Sequence, residues 1–324
     1  MTKAIRFREF GGPEVLNWEE VPLGEPGPGE VKIRHKAIGV NFVDTYQRSG
    51  LYKVALPAIA GNEGAGVVEA LGSGVTSLKV GDRVAYVGKI GAYCEERLMP
   101  ADRLCLLPDR ISFDQAAAMM LKGLTVQYLI RQTYKVQPGD TVLFHAAAGG
   151  VGLIACQWLK TLGARVIGTA GSQEKCQLAL QHGAEFCINY RSENIVERVR
   201  EITKGAGVPV VYDSVGKDTF EASLKCLRHY GLLVSFGNAS GPVPPFDLGI
   251  LAQLGSLHVT RPTLNTYTEQ RSDLEAMAAE LFEMVTSGAV TIDINHRYPL
   301  KDAAQAHRDL EGRKTTGSTI LIPD

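Results

Sequence analysis

The chain of 324 residues has no CxxC pair, no basic run, and a formal charge of only −1. Its six cysteines (Cys94, Cys105, Cys156, Cys176, Cys187, Cys226) are widely spaced. That spacing argues against the disulfide framework of a small secreted protein and for free thiols in a reducing compartment. Near-zero charge without a basic stripe leaves no electrostatic footprint for nucleic acid or an anionic membrane surface. The opening MTKAIRFREF is charged and lacks the apolar core of a signal peptide. Internal repeats and low-complexity linkers are absent as well. One stretch, Thr141 to Leu159, contains no Asp, Glu, Lys or Arg and approaches membrane-span length. Three glycines, His145 and Gln157 interrupt it, and its period changes midway, so no membrane span is expected. A soluble, cytoplasmic protein is the expectation, with length enough for two domains and substantial cores.

The chain is organised around the segment from Gly139 to Lys160, GDTVLFHAAAGGVGLIACQWLK. Thr141 to Phe144 is a short apolar run of strand formers after the turn signal Pro138-Gly139-Asp140. Gly149, Gly150 and Gly152 allow a sharp turn and a close approach of backbone to a bound group. Val151, Ile154, Ala155, Trp158 and Leu162 then recur at helical spacing. A helix opening at such a turn directs unpaired amides and partial positive charge outward, which suits a pyrophosphate. Against the dinucleotide fingerprint GxGxxG the turn reads AxGxxG, with Ala147 in the first glycine position.

Beyond this turn strands are expected at 141–144, 165–169, 186–189, 209–213, 231–236 and 256–260. Helices are expected at 150–162, 173–182, 193–204, 217–228 and 247–253. Six strands separated by helices make a doubly wound parallel sheet, an α/β domain of Rossmann type. Upstream, short alternating runs at Ala4–Phe7, Val31–Arg34, Gly66–Ala70 and Arg83–Tyr86 lie between Gly- and Pro-rich turns and indicate a β-barrel with small helices. Ser112 to Gln115 has capping-box spacing, with a helix through Ala116–Met120 and a second one beginning at Leu124. After Arg261-Pro262 the βα rhythm stops. A helix from Asp273 to Ser287, a helix from Ala303 to Leu310 and a strand from Ser318 to Ile322 complete the chain.

An acid usually ends the second strand of an NAD site, where it accepts from the ribose 2′-hydroxyl. Here the strand runs into Thr169-Ala170-Gly171-Ser172-Gln173-Glu174-Lys175, with Glu174 one helical step late. A small turn with a hydroxyl and a nearby lysine suits a 2′-phosphate, so NADPH is the expected cofactor. Phe236 and Asn238, past the fifth strand, stand at the carboxyl ends of strands where ligands gather, and Thr125 is placed for the nicotinamide ribose or amide. His145 reads as a satisfied core histidine and Asp213 as a structural carboxylate. In the segment Asn41 to Tyr52, Asn41 is a candidate helix cap, Asp44 and Tyr46 lie in the first turns, and Gly50 ends the helix.

The chain resembles the zinc-free quinone oxidoreductases (zeta-crystallin type) of the medium-chain reductase superfamily. The resemblance rests on Gly139-Asp140, Leu143, Ala147-Ala148, Gly149-Gly150-Val151-Gly152, Gln157 and Lys160, and on the segments GGPEVL, GVNFVDTYQRSGLY and GSTILIP. It implies a GroES-like β-barrel catalytic domain that is discontinuous, residues 1–123 and 262–324, around a Rossmann NADP(H) domain, residues 124–261. It implies 2′-phosphate contacts at Gly171, Ser172, Lys175, Tyr190 and Arg313, and it places Asn41, Tyr46 and Tyr52 along the nicotinamide and acceptor pocket. Asn41, Asp44, Tyr46 and Tyr52 are thus the catalytic candidates.

Related alcohol dehydrogenases use zinc, but where they place ligands this chain has Asn41, Asn62 in Gly61-Asn62-Glu63, and Lys122. Amides are poor zinc donors compared with thiolate or imidazole, and no metal is expected. The remaining chemistry is hydride transfer from NADPH to a quinone, with an enone or alkenal as the alternative acceptor and a non-catalytic nucleotide-binding protein as the alternative class. The uncharged edge segment Gly255 to Thr260 leads to the expectation of a homodimer joined through the Rossmann domains.

Overall fold

The computed structural model describes all 324 residues. The chain divides into two compact units: Met1–Leu124 with Thr268–Thr286 and Ile292–Asp324, and Thr125–Tyr267 with Ser287–Thr291.

In the second unit six parallel strands alternate with helices. Along the chain they are Thr141–Phe144, Arg165–Ala170, Phe186–Asn189, Val208–Asp213, Leu227–Ser235 and His258–Thr260. In space they lie in the order third, second, first, fourth, fifth, sixth, the doubly wound order expected from the βα rhythm. The reversal falls between the first and fourth strands, which pair at Leu143–Val211 and Phe144–Tyr212. Leu143, Ile167, Val208 and Val211 are fully buried within one apolar cluster, since a parallel sheet covered by helices needs apolar residues on both faces. The fifth strand begins earlier than its apolar run suggests, at Leu227. Its pairing with the fourth breaks register between Val208 and Val210, so that Arg228 to Gly231 bulge outward.

The first unit is β-rich. Its seven-stranded sheet centres on the long strand Glu30–Val40, which pairs antiparallel with Glu63–Leu71. Glu96–Pro100 pairs with the first half of the long strand. Ser318–Ile322 pairs with its end, setting Thr319 against Val40 and Ile320 against Gly39. A smaller sheet carries Asn17–Val21, Thr2–Phe7 and Ala58–Ile59. The final strand and the helix Ala303–Glu311 therefore belong with the first hundred residues, and Leu300, Ala303 and Ala306 share their core with Phe7, Ile33 and Tyr93.

The region after Ser112 differs from expectation. One helix, Phe113–Tyr128, runs on into a π-helical turn, Leu129–Thr133. Gly123 does not break it. A Cβ at that position would lie 2.5 Å from the Leu281 side chain, so the glycine serves close packing of the helix Arg271–Thr286. Tertiary packing overrides the local propensity that suggested two helices.

Candidate functional site

In the Rossmann unit the first strand passes through Ala147 and Ala148 to the helix Gly150–Thr161, whose cap residue is Gly149. A glycine cap offers no side chain to the first-turn amides, which leaves them for an anion. Gly152 is obligatory: a Cβ there would stand 2.5 Å from the Ala146 carbonyl oxygen. The Ala147 amide donates to the Thr169 carbonyl at 3.0 Å, tying the glycine turn to the end of the second strand. That strand delivers Gly171 and Ser172 to a second helix, Gln173–Gln181. Here the cap is filled, the Ser172 hydroxyl accepting from the Lys175 amide at 3.3 Å. The Tyr190 amide donates to Ala170 at 3.1 Å, and the Tyr190 hydroxyl stands 2.5 Å from where a Cβ on Gly171 would be. Ala147, Gly149, Gly150, Val151 and Gly152 thus gather at one helix start, and Gly171, Ser172, Lys175 and Tyr190 at the next. Two helix N-termini side by side, one uncapped and one carrying a hydroxyl and a lysine, have the chemistry of a diphosphate and a second phosphate.

The loops beyond the fourth and fifth strands are knit together at the same end of the sheet. Ser240 donates its amide to Val215 at 2.8 Å, Gly241 to Asn238 at 2.9 Å, and Phe236 to Asp213 at 2.8 Å. The Phe236 ring packs on Phe144, centroids 5.9 Å apart. Asp213 is a structural anchor, accepting from the amides of Val215 and Gly216 at 2.8 and 3.1 Å and from the Thr219 and Ser223 hydroxyls. Because Ser223 donates to Asp213, its oxygen accepts from His145 Nε2 at 3.0 Å, and His145 Nδ1 accepts from Thr169. Burial holds the His145 pKa below the ordinary histidine value, and the ring is a neutral core group. Thr125 is buried.

In the β-rich unit the long strand ends at Val40 and the chain turns into the helix Phe42–Ser49, with Asn41 at its cap and Gly50, at φ 82°, ending it. Asp44 closes the turn by accepting from the Asn41 amide at 2.8 Å. It accepts further from Asn62 Nδ2 at 2.6 Å and from the Tyr93 hydroxyl at 2.9 Å. Burial, offset in part by these donors, raises the Asp44 pKa to about 6. Since Tyr93 donates to Asp44, its oxygen accepts from His307 Nε2 at 3.1 Å, and His307 Nδ1 accepts from Arg48 at 3.1 Å. Burial and the Arg48 charge lower the His307 pKa to about 3. Arg48 finally meets Glu311 at 2.7 Å. Every oxygen of Asp44 is thus occupied by donors within a network that ties this helix to Ala303–Glu311. Asp44 is a holding group of the candidate segment.

Tyr46 is buried and Tyr52 partly exposed; the rings meet edge to face with centroids 5.3 Å apart, and the Tyr52 amide donates to the Tyr46 carbonyl at 2.9 Å. Asn41, also buried, donates its side-chain amide to Glu63 at 2.7 Å. Arg313 belongs to this unit as well, exposed after the helix Ala303–Glu311 with φ 57°. The positions weighed as zinc ligands hold Asn41, Asn62 and Lys122, and the Lys122 ammonium lies 3.2 Å from Glu63. An ammonium and amide N–H groups repel a cation, and no three His, Cys, Asp or Glu side chains gather into a metal set. The sequence pattern alone does not single out Glu63, Tyr93, His307 or Arg48, and it gives Lys122 no partner. Only the dipeptide Asn62-Glu63 drew notice, as a place where a ligand was missing.

Two family models match successive parts of the chain. The family described as alcohol dehydrogenase GroES-like domain matches residues 27–138, and the one described as zinc-binding dehydrogenase matches residues 150–283. The chain is 58% identical over 325 positions to a quinone oxidoreductase of Pseudomonas aeruginosa, covering 100% of each. It is 46% identical to a 2-haloacrylate reductase of a Burkholderia species, covering 100% of this chain and 99% of that one. The crystal structure of Escherichia coli quinone oxidoreductase complexed with NADPH superposes with a TM-score of 0.98 at 54% identity, over 99% of this chain and 100% of that one.

Proposed function

The chain belongs to the zinc-independent quinone oxidoreductases of the alcohol dehydrogenase superfamily, and we propose that it reduces quinones with NADPH through the two groups of residues described above. It is a hydride-transfer enzyme of the quinone oxidoreductase type that uses NADPH. The observation that carries the site assignment is the pair of adjacent helix starts: an uncapped one at Gly149–Gly152 and one with Ser172 and Lys175 where an NAD site has an acid.

In this reading the first-turn amides at Gly150 to Gly152 hold the diphosphate. Gly171, Ser172, Lys175, Tyr190 and Arg313 take the 2′-phosphate. Thr125, Phe236 and Asn238 serve the nicotinamide half. Bound NADPH supplies a hydride at nicotinamide C4, and the protein's task is to orient the acceptor, exclude water and stabilise developing negative charge. Asn41, Tyr46 and Tyr52 carry that task. Their amide and hydroxyl groups donate to an acceptor oxygen, and Asp44 holds the helix that bears them.

The Burkholderia relative favours a second reading, an activated alkene as acceptor. Following NADPH oxidation with benzoquinones, naphthoquinones and short enones separates the two. Rates with quinones at least tenfold above those with enones support the first reading, and the reverse order supports the second.

No helix is long and apolar enough to cross a membrane. The six cysteines are free, five of them buried, which fits the cytoplasm. The sixth strand, His258–Thr260, edges the sheet and suits a homodimer joined through the Rossmann units. A monomeric mass by light scattering at micromolar concentration would remove that part.

A further inference from the structure

We propose that Glu63 and Lys122 are positioning residues of the acceptor site, a buried carboxylate–ammonium pair whose work is to fix the side-chain amide of Asn41. The proposal rests on the reading above, in which Asn41 donates to the acceptor.

Glu63 is fully buried, and three donors converge on it. Asn41 Nδ2 at 2.7 Å and Lys122 Nζ at 3.2 Å share Oε1, while the Leu121 amide reaches Oε2 at 2.6 Å. Lys122, itself buried, spends a second N–H on the Val40 carbonyl at 3.3 Å. The carboxylate is therefore clamped between the end of the long strand and the helix Phe113–Tyr128, and it has no rotational freedom left. Gly39 tightens the clamp: a Cβ there would run into both the Glu63 carboxylate and the Ala117 carbonyl.

The consequence falls on Asn41. A side-chain amide can turn over and exchange its donor for its acceptor, because the two ends have nearly the same shape. With Nδ2 committed to Glu63 it cannot, since turning over would set Oδ1 against a carboxylate oxygen. Lys122 makes this arrangement sustainable. A buried carboxylate without a compensating charge is strongly destabilising, whereas a buried pair adds little stability beyond what packed apolar side chains of the same volume would give. Stability alone is thus a poor account of three polar side chains meeting here, and orientation of the one nearest the chemistry is a better one. Two of the positions that would carry zinc ligands, Asn41 and Lys122, are reused with the neighbouring Glu63 as an orienting device made from an amide, an ammonium and a carboxylate.

The test is a double-mutant cycle on kcat with 1,4-benzoquinone, together with the NADPH dissociation constant from fluorescence titration of the full-length protein. Asn41→Ala and Glu63→Gln are each expected to lower kcat by about tenfold or more, with NADPH affinity held within about twofold. On the Asn41→Ala background, Glu63→Gln is expected to change kcat by less than about twofold. Lys122→Met should resemble Glu63→Gln, and Lys122→Arg, which restores charge and donors, should recover part of the loss. Losses that multiply in the double variant would show a structural role only and overturn the proposal. An Asn41→Ala protein with unchanged kcat would instead remove the reading of Asn41 at the acceptor site, a distinct failure. Should Glu63→Gln not fold, Glu63→Asp keeps the charge while withdrawing the carboxylate by one methylene, and the same coupling to Asn41 decides the matter.

Discussion

If Lys175 meets the 2′-phosphate as proposed, replacing it by methionine is expected to weaken NADPH and spare NADH. Ser172 caps its helix through the backbone amide of residue 175, not through the lysine side chain, so Lys175→Met leaves the cap and the helix start intact. On the proposed assignment, it also removes one charge-assisted contact to the 2′-phosphate. Such bonds contribute about 1.5–3 kcal/mol, or about 10- to 150-fold in affinity. Lys175 is only half-buried, so solvent screening places the expectation at the lower end, about tenfold. NADH has a 2′-hydroxyl in that place and should bind the variant within about twofold of the unmutated protein. Fluorescence titration of both reduced nucleotides at fixed ionic strength reads this directly. Raising the salt should shrink the NADPH–NADH difference more in the unmutated protein than in the variant, which keeps Arg313. Equal losses for NADPH and NADH would refute the argument, because they would place Lys175 at a feature common to both.

Three other outcomes follow from the geometry. Gly152→Ala forces a Cβ to 2.5 Å from the Ala146 carbonyl, so it should lower the thermal midpoint and weaken NADPH and NADH alike; unchanged binding of both would place the diphosphate elsewhere. Gly123→Ala should destabilise by about 1–3 kcal/mol in urea despite better helix propensity, because the new methyl meets Leu281 at 2.5 Å; a more stable variant would show that the two helices yield easily. For Asp44, the folded pKa of about 6 lies above the ordinary 3.8, so the folded state binds the extra proton between those values. The stability this group contributes is therefore present below pH 4 and lost as pH rises to 6. The stability of the unmutated protein relative to Asp44→Asn should fall by about 3 kcal/mol across that window. A difference that stays level, or that grows with pH, contradicts the assignment.

The legibility of this chain depends on how local each feature is. The strand Thr141–Phe144 and the strand Ser318–Ile322 begin and end where their apolar runs do, because edges set by Gly and Pro turns are written in neighbouring residues. The glycine turn and the hydroxyl–lysine turn at Ser172 are equally local, since each lies within one strand-to-helix junction. Failures came where distant residues decide. The gap expected between Met120 and Leu124 is helical because Gly123 lets Leu281 pack against it. Lys122 shows no partner in its own stretch of sequence because Glu63 lies 59 residues earlier. Tyr93 and His307, separated by 214 positions, meet only once the C-terminal helix packs beside the strands of the first hundred residues. The strands Asn17–Val21 and Glu96–Pro100 are rich in charge and show too little alternation to be recognised alone; their pairing with Thr2–Phe7 and Glu30–Val40 makes them strands.

NADPH reduces a quinone here without a metal, in a site whose would-be ligands are two amides and an ammonium. The most direct test of this is the rate of 1,4-benzoquinone reduction by NADPH after exhaustive dialysis against a strong chelator, with the metal content of the same sample measured by elemental analysis. Turnover is expected to be undiminished, with zinc far below one equivalent per chain. Turnover lost on chelation and restored by stoichiometric zinc would contradict this.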